Sequence, residues 1–210
     1  MQKRALETKS KILAAARQEF SAKGFHGTTV DDISGRAGVN KQRIYAYFVN
    51  KENLFAEVLK DCYESIMNSE ESFLALLEAD IPHLAEILLR HYFLFHQSHP
   101  EFWRLIAWEN LEGGAHLPVL KGLRNKTFQH LRKLYNKGQE QGIYSLEVSF
   151  ETFIYTLSAL AFFYFSNRLS MSLTLNQDLS SSEIQETLVR ESLLMFRHEV
   201  RESGSAVSQS

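Results

Sequence analysis

Apolar residues recur at three- and four-residue intervals along most of this chain, the spacing of one helix face, and the runs break at glycines, prolines and short polar stretches. Ile12, Ala16 and Phe20 form one stripe of a helix expected from Leu6 to Lys23, with Gly24 as its stop. Val30, Ile33 and Ala37 give a short helix over 30–37 one buried edge, and Gly38 supplies the positive φ that ends it. Ile44 and Phe48, four apart, mark a third short helix. After Lys51 a longer one carries Leu54, Phe55, Val58, Leu59 and Cys62 and fades near Asn68 to Glu71. Phe73 to Leu77 begin another, interrupted by Pro82, after which Leu84, Ile87, Leu88, His91 and Phe95 form a stripe ending at Pro100. Further helices are expected over Glu101–Leu111, stopped at Gly113-Gly114, and over Pro118–Gln141, closed by Gly142. The run Glu147–Leu169 is apolar nearly all round and so must be buried on more than one side. A last helix, Ser181 to Glu202, is apolar on two faces: Ile184, Leu188, Met195 and Phe196 on one, Val189, Leu193 and Val200 on the other. The pattern predicts an all-α protein. It has an N-terminal three-helix helix-turn-helix head (1–50), a C-terminal helical bundle (51–203) for ligand binding and dimerisation, and a Ser-rich disordered tail (204–210).

Two short helices joined at Gly38 are a helix-turn-helix pattern. Thr29 suits an N-cap, with Asp31 and Asp32 following at the positive end of the helix dipole, and Asn40 suits the cap of the next helix. A recognition helix reads base edges with residues near its N-terminus, where Lys41, Gln42 and Arg43 stand. Lys or Arg matches the O6/N7 edge of guanine and Gln the N6/N7 edge of adenine. Tyr45, Tyr47 and Lys51 suit phosphate contacts, which fix register without reading sequence. The expected DNA-binding set is therefore Thr29, Asn40, Lys41, Gln42, Arg43, Tyr45, Tyr47 and Lys51. A helical hairpin with a merely solvated basic face is the competing reading.

The segment from Gly38 to Phe55, GVNKQRIYAYFVNKENLF, resembles the TetR family signature, in which a Gly-Val turn leads into L-Y-x-Y-F and, after a short break, K-E-x-L. Ile12, Ala15, Ala16, Phe20, Gly24 and Phe25, followed by Thr28-Thr29-Val30 and Ile33, resemble that family's first helix and the entry to its second. The match covers about residues 8–60. Two positions depart from the pattern: Gln42 stands where a small residue or Gly is common, and Val49 where Pro is common. The resemblance implies a transcriptional regulator with repression as its default direction.

Charge sharpens this picture. The formal net charge is −2, yet residues 1–51 carry ten Lys or Arg against four Asp or Glu, and the remainder 13 against 21. A basic head on an acidic body is the electrostatic footprint of a nucleic-acid binder. Cys62 is the only cysteine, which excludes an intrachain disulfide and suits a reducing compartment. The charged start MQKRALETKSK has no signal-peptide core, and no segment has the ~20 apolar residues of a membrane span, so a cytoplasmic protein without a membrane partner is expected.

The body suggests partners rather than catalysis. Pockets between bundle helices are lined by apolar and aromatic residues with a few polar anchors, and the expected lining is His91, Phe95, Trp103, Arg104, Trp108, Tyr155, Phe162 and Phe163. Two apolar C-terminal helices, doubled by symmetry, would make a four-helix dimer interface with Phe165, Leu188, Ser192, Met195 and Phe196. His96 and His99 have an i, i+3 spacing, but no Cys/His array has zinc spacing, and no phosphate loop or nucleophile elbow appears. No cofactor, metal or enzymatic activity is expected, and the basic face of 118–141 reads as a solvated surface. The sequence thus points to a homodimeric repressor on palindromic double-stranded operator DNA, released by a small apolar or aromatic effector. The alternative is a ligand-independent DNA-binding dimer, either an activator or an architectural factor.

Overall fold

The computed structural model describes residues 2–121 and 126–196, and every regular element among them is helical. α1 spans Gln2–Gly27, starting four residues ahead of the expected Leu6, and its ladder is broken where expected, at Gly24 (φ 71°, ψ 177°). α2 (Val30–Ala37) has the bounds read from the sequence, and α3 (Lys41–Phe48) starts directly after the expected cap Asn40. α4 spans Lys51–Glu70. Two 3-10 turns, Glu71–Ala75 and Glu78–His83, replace the helix expected from Phe73. Pro82, which has no N–H for an α-helical ladder, lies inside the second. α5 (Leu84–Ser98) and α6 (Pro100–Leu111) follow. The single helix expected over Pro118–Gln141 is instead a 3-10 turn, Leu117–Leu120, that stops where Lys121 becomes extended (φ −61°, ψ 127°), and a separate α7, Lys126–Glu140. α8 runs Phe150–Leu175, opened by the Ser149 Oγ, which accepts from the Thr152 N–H at 3.1 Å. α9 runs Ser182–Leu194; the rest of the expected last helix, with the tail 204–210, lies outside the described residues.

Packing divides the described chain into two units, and neither follows a boundary at residue 50. The first comprises 2–71, 93–121 and 162–166. Its core joins Ile12, Phe20, Ile33 and Ile44 of the head to Leu54, Phe55 and Leu59 of α4 and Leu105 of α6. The helix-turn-helix thus shares one interior with the helices that follow it, instead of ending before them. Fully burying each such Leu, Ile or Phe is worth about 1.5–3 kcal/mol, so α4 and α6 are held to the head by several residues at once.

The second unit comprises 72–92, 126–161 and 167–196, with Ile81, Leu84, Leu88, Leu131, Tyr135, Phe153 and Leu157 inside. Gly138 permits a close approach there. A Cβ at that position would stand 2.5 Å from Tyr144 Cδ2 and 2.8 Å from Ile81 Cγ2. The Tyr144 hydroxyl donates to the Ile81 carbonyl at 2.7 Å across the same contact. Arg90 on α5 donates to both carboxylate oxygens of Glu186 on α9, at 2.8 and 2.7 Å. Two cations of the face expected on 118–141 are internally paired, Arg132 with Glu151 and Lys137 with Glu78. Among the described residues no helix is long and apolar enough to cross a membrane.

Candidate nucleic-acid interface

Local hydrogen bonds build the helix-turn-helix. The Asp32 N–H donates to Thr29 Oγ1 at 3.1 Å and the Thr29 N–H to Asp32 Oδ2 at 3.0 Å, a reciprocal capping box at the head of α2. The bonds from Thr29, seconded by Lys23 nearby, hold the Asp32 carboxyl below its usual range. Gly38 ends α2 in the left-handed region (φ 65°, ψ 34°), where the Val39 N–H reaches back to the Ser34 carbonyl at 3.1 Å. Asn40 Oδ1 then accepts from the Arg43 N–H at 2.9 Å and opens α3. Ile44 and Phe48 bury the inner face of α3, so Lys41, Gln42, Arg43, Tyr45 and Tyr47 are exposed on the outer one.

The expected DNA residues are not equivalent in this setting. Arg43 has no carboxylate partner among the described residues, whereas the Lys41 ammonium lies 2.5 Å from Asp31 on α2. Lys51 points inward. Its ammonium donates to the carbonyls of Phe25 and Thr28, at 3.0 Å each, and sits 4.2 Å from the centre of the Phe25 ring. The side chain thus ties the start of α4 to the end of α1. Between α3 and α4, Val49 occupies φ 68°, ψ −52°, and the Asn50 N–H reaches the Phe48 carbonyl at 2.7 Å: a γ-turn that a proline, with φ fixed near −65°, could not form.

Behind the interface, α6 runs in register with α1. Arg17 lies between Asp61 of α4, with which it pairs, and Glu101, 3.9 Å away at the start of α6. Seven residues on in both helices, Gly24 meets the indole of Trp108. In the last turn of α6, buried Glu109 accepts from the N–H of His116, beyond the helix end, at 2.6 Å and faces its Nδ1 at 3.1 Å. The His116 ring stands 4.9 Å from Phe25 and 4.9 Å from Phe55. Displacement of α6 would therefore reach the head through α1 as well as through α4.

The eight expected pocket residues divide between the units. Phe95 is buried in the first, stacked on His99 at 4.4 Å and edge-on to Phe102 at 5.3 Å. Trp103 and Phe162 are half-buried against the same core, and the Arg104 guanidinium lies 5.2 Å from the Trp103 ring. Trp108 spends its ring on Gly24. His91 belongs to the second unit, edge-on to Phe73 at 4.5 Å, and burial lowers the pKa of its imidazole. Tyr155 and Phe163 are 74% and 53% exposed, so they form surface, not lining, within their own units. Sequence reasoning passed over His96 as a pocket residue. It is 4% exposed among Phe95, Phe102, Phe162 and Phe165, and burial, with His99 beside it, pushes its pKa down to about 4. Its Nδ1 has no hydrogen-bond partner among the described residues. Among the described residues no group of three or more His, Cys, Asp or Glu is placed to hold a metal.

The expected dimer residues also separate. Phe165 is buried in its own protomer against Phe93 and His96, which removes it from any outer face. Phe196 packs edge-on to Phe153 at 5.8 Å, and Leu188 and Ser192 are half-buried. Met195 is 83% exposed. The exposed apolar stripe of α8 consists of Tyr155, Phe163, Leu169 and Leu173, two of which the sequence pattern had not singled out.

Comparison with known proteins settles the family. The model described as "Bacterial regulatory proteins, tetR family" matches residues 12–58, and the one described as "Tetracyclin repressor-like, C-terminal domain" matches residues 85–194. This chain belongs to the TetR family. The TetR head contains the α2–α3 pair described above, and the protein is a DNA-binding transcriptional regulator. It is 34% identical over 179 residues, 84% of each chain, to the HTH-type transcriptional repressor NicS of Pseudomonas putida. It is 33% identical over 155 residues to the HTH-type transcriptional repressor SCO4008 of Streptomyces coelicolor, covering 73% of this chain and 76% of that one. The crystal structure of a TetR family transcription regulator from Marinobacter aquaeolei superposes with a TM-score of 0.71 at 19% identity, covering 95% of this chain and 100% of the other, a likeness of fold.

Proposed function

We propose that this TetR family protein represses transcription by holding a palindromic operator as a homodimer, and that a small apolar or aromatic effector releases it. The observation that carries the reading is the outer face of α3, where Gln42 and Arg43 stand exposed and unburdened in the first turn and Tyr45 and Tyr47 follow. Gln and Arg in that position can make bidentate contacts to adenine and guanine, and the tyrosine hydroxyls can reach phosphates. One such helix reads only a few base pairs, which is why a second copy is part of the proposal. The exposed apolar side chains of Tyr155, Leu169 and Leu173 support that pairing. The register of α6 with α1 supports release, since a ligand that shifts α6 also shifts the head. To weaken operator binding ~100-fold, the effector need prefer the released form by only ~2.7 kcal/mol, well within ordinary allosteric coupling. Acting on the chromosome, the protein works in the cytoplasm, and no catalytic step belongs to this reading.

The ligand-independent alternative draws on one observation, the dispersal of the expected pocket residues over both units. Selection of bound duplexes from a random pool, followed by a screen of aromatic and apolar compounds for release, tests both. Two inverted half-sites about one helical turn, ~34 Å, apart are expected. Recovered sequences without two-fold symmetry would count against the dimeric operator, and release by none of the compounds would favour the alternative.

A further inference from the structure

Most of the positive charge on the head is already paired within the head or with α4. Lys9 pairs with Glu57, Arg17 with Asp61, Lys23 and Arg36 with Glu19, and Lys41 with Asp31. Lys51 is committed to two carbonyls. Of the ten cations in residues 1–51, this leaves Arg43 on the recognition helix and Lys3, Arg4 and Lys11 on α1 without an anionic or carbonyl partner among the described residues. All three α1 cations are exposed. The start of α1 also has a defined place relative to the recognition helix, because the Lys9 ammonium lies 5.6 Å from the centre of the Phe48 ring at the end of α3. Gln2 to Gly27 form α1 with no acid in its first turn, so its positive dipole end is not offset there. Glu7, exposed and in no ion pair among the described residues, is the one acid between Lys3 and Lys11.

We infer that the first three turns of α1 form an outer phosphate clamp, in which Lys3, Arg4 and Lys11 hold the DNA backbone flanking the base pairs that α3 reads. This rests on the DNA-binding assignment of the head and adds a surface to it. The division of labour is physical: α3 has one unpaired cation for base edges, so the sequence-independent attraction that brings the protein onto DNA must come largely from α1. Each phosphate neutralised releases condensed counterions and contributes ~0.9 to the slope of log K against log salt.

The test compares wild type with a Lys3→Gln/Arg4→Gln/Lys11→Gln variant, by fluorescence anisotropy on a duplex selected by the wild type and on a random-sequence duplex, over a series of salt concentrations. The variant is expected to lose up to ~2.7 from the salt slope per head and to weaken on both duplexes by the same factor, with its sequence preference unchanged. Glu7→Lys, which removes the one interrupting acid, should steepen the slope and tighten binding to both duplexes, and it does not depend on tolerance of the triple substitution. Slopes unchanged in both variants overturn the clamp while leaving the regulator assignment intact. A wild type that selects no duplex and does not bind random-sequence DNA would overturn the assignment as well.

Discussion

Gly24 and Trp108 are in contact: a Cβ on Gly24 would stand 3.0 Å from Cδ2 of the indole and 3.2 Å from a carboxylate oxygen of Glu112. The glycine also holds φ 71°, ψ 177°, a conformation essentially reserved for glycine. Gly24→Ala therefore carries backbone strain of roughly 1–3 kcal/mol together with a steric cost against α6. Thermal unfolding of Gly24→Ala, Trp108→Phe and the double variant separates the two. If the contact matters, the alanine costs less in the Trp108→Phe background; equal costs in both backgrounds would show that backbone strain alone is at work.

Lys51 and Arg43 should fail in different ways. Arg43→Ala is expected to weaken the selected operator more than random DNA, by ~1–3 kcal/mol, with little change in stability. Lys51→Met should lower the unfolding temperature, because it leaves the Phe25 and Thr28 carbonyls without their donor, at ~1–3 kcal/mol. It should leave the salt slope of DNA binding unchanged, since no phosphate contact is removed. A slope reduced by about 0.9 in Lys51→Met would restore the lysine to the phosphate contacts.

Buried His96 makes stability depend on pH. Its pKa in the folded protein, about 4, lies below the ordinary 6.5, so the unfolded chain binds the proton more readily. Stability is therefore complete above pH 6.5 and declines as pH falls toward 4, with an upper limit of about 3 kcal/mol from this group. His91, lowered in the same direction by burial, adds to the trend. Chemical denaturation at pH 7 and pH 5 should show a larger loss in wild type than in His96→Phe. Identical losses in the two proteins would remove His96 as the cause.

What the sequence disclosed depended on the range of the interactions involved. The bounds of α2 and the start of α3 were legible because Thr29, Gly38 and Asn40 act on residues within a turn of themselves. The inward contacts of Lys51 were not legible because its acceptors lie 23 and 26 residues upstream, and nothing local marks an ammonium that points inward. α8 presents the opposite difficulty. It is apolar on nearly every side, so periodicity cannot tell Phe165, which packs against Phe93, from Phe163, which faces outward. The core continues past residue 50 because α4 and α6 bury their apolar faces against α1.

That difference on α8 leads to a test of the dimer. Leu169 and Leu173 are 77% and 85% exposed, so a charge placed there costs the isolated protomer little and an apolar symmetric interface a great deal. Phe165 is 4% exposed, and a carboxylate in its place would be buried without a partner. Leu169→Glu/Leu173→Glu is expected to sediment as a monomer with helicity nearly unchanged. It should lose the operator while keeping weak binding to random DNA, since each head stays intact and only their pairing is removed. Phe165→Glu should instead lose helicity and unfold at lower temperature, whatever its oligomeric state. Sedimentation and circular dichroism on the two variants decide the matter. A dimeric Leu169→Glu/Leu173→Glu protein that still binds the operator would move the interface off this face of α8.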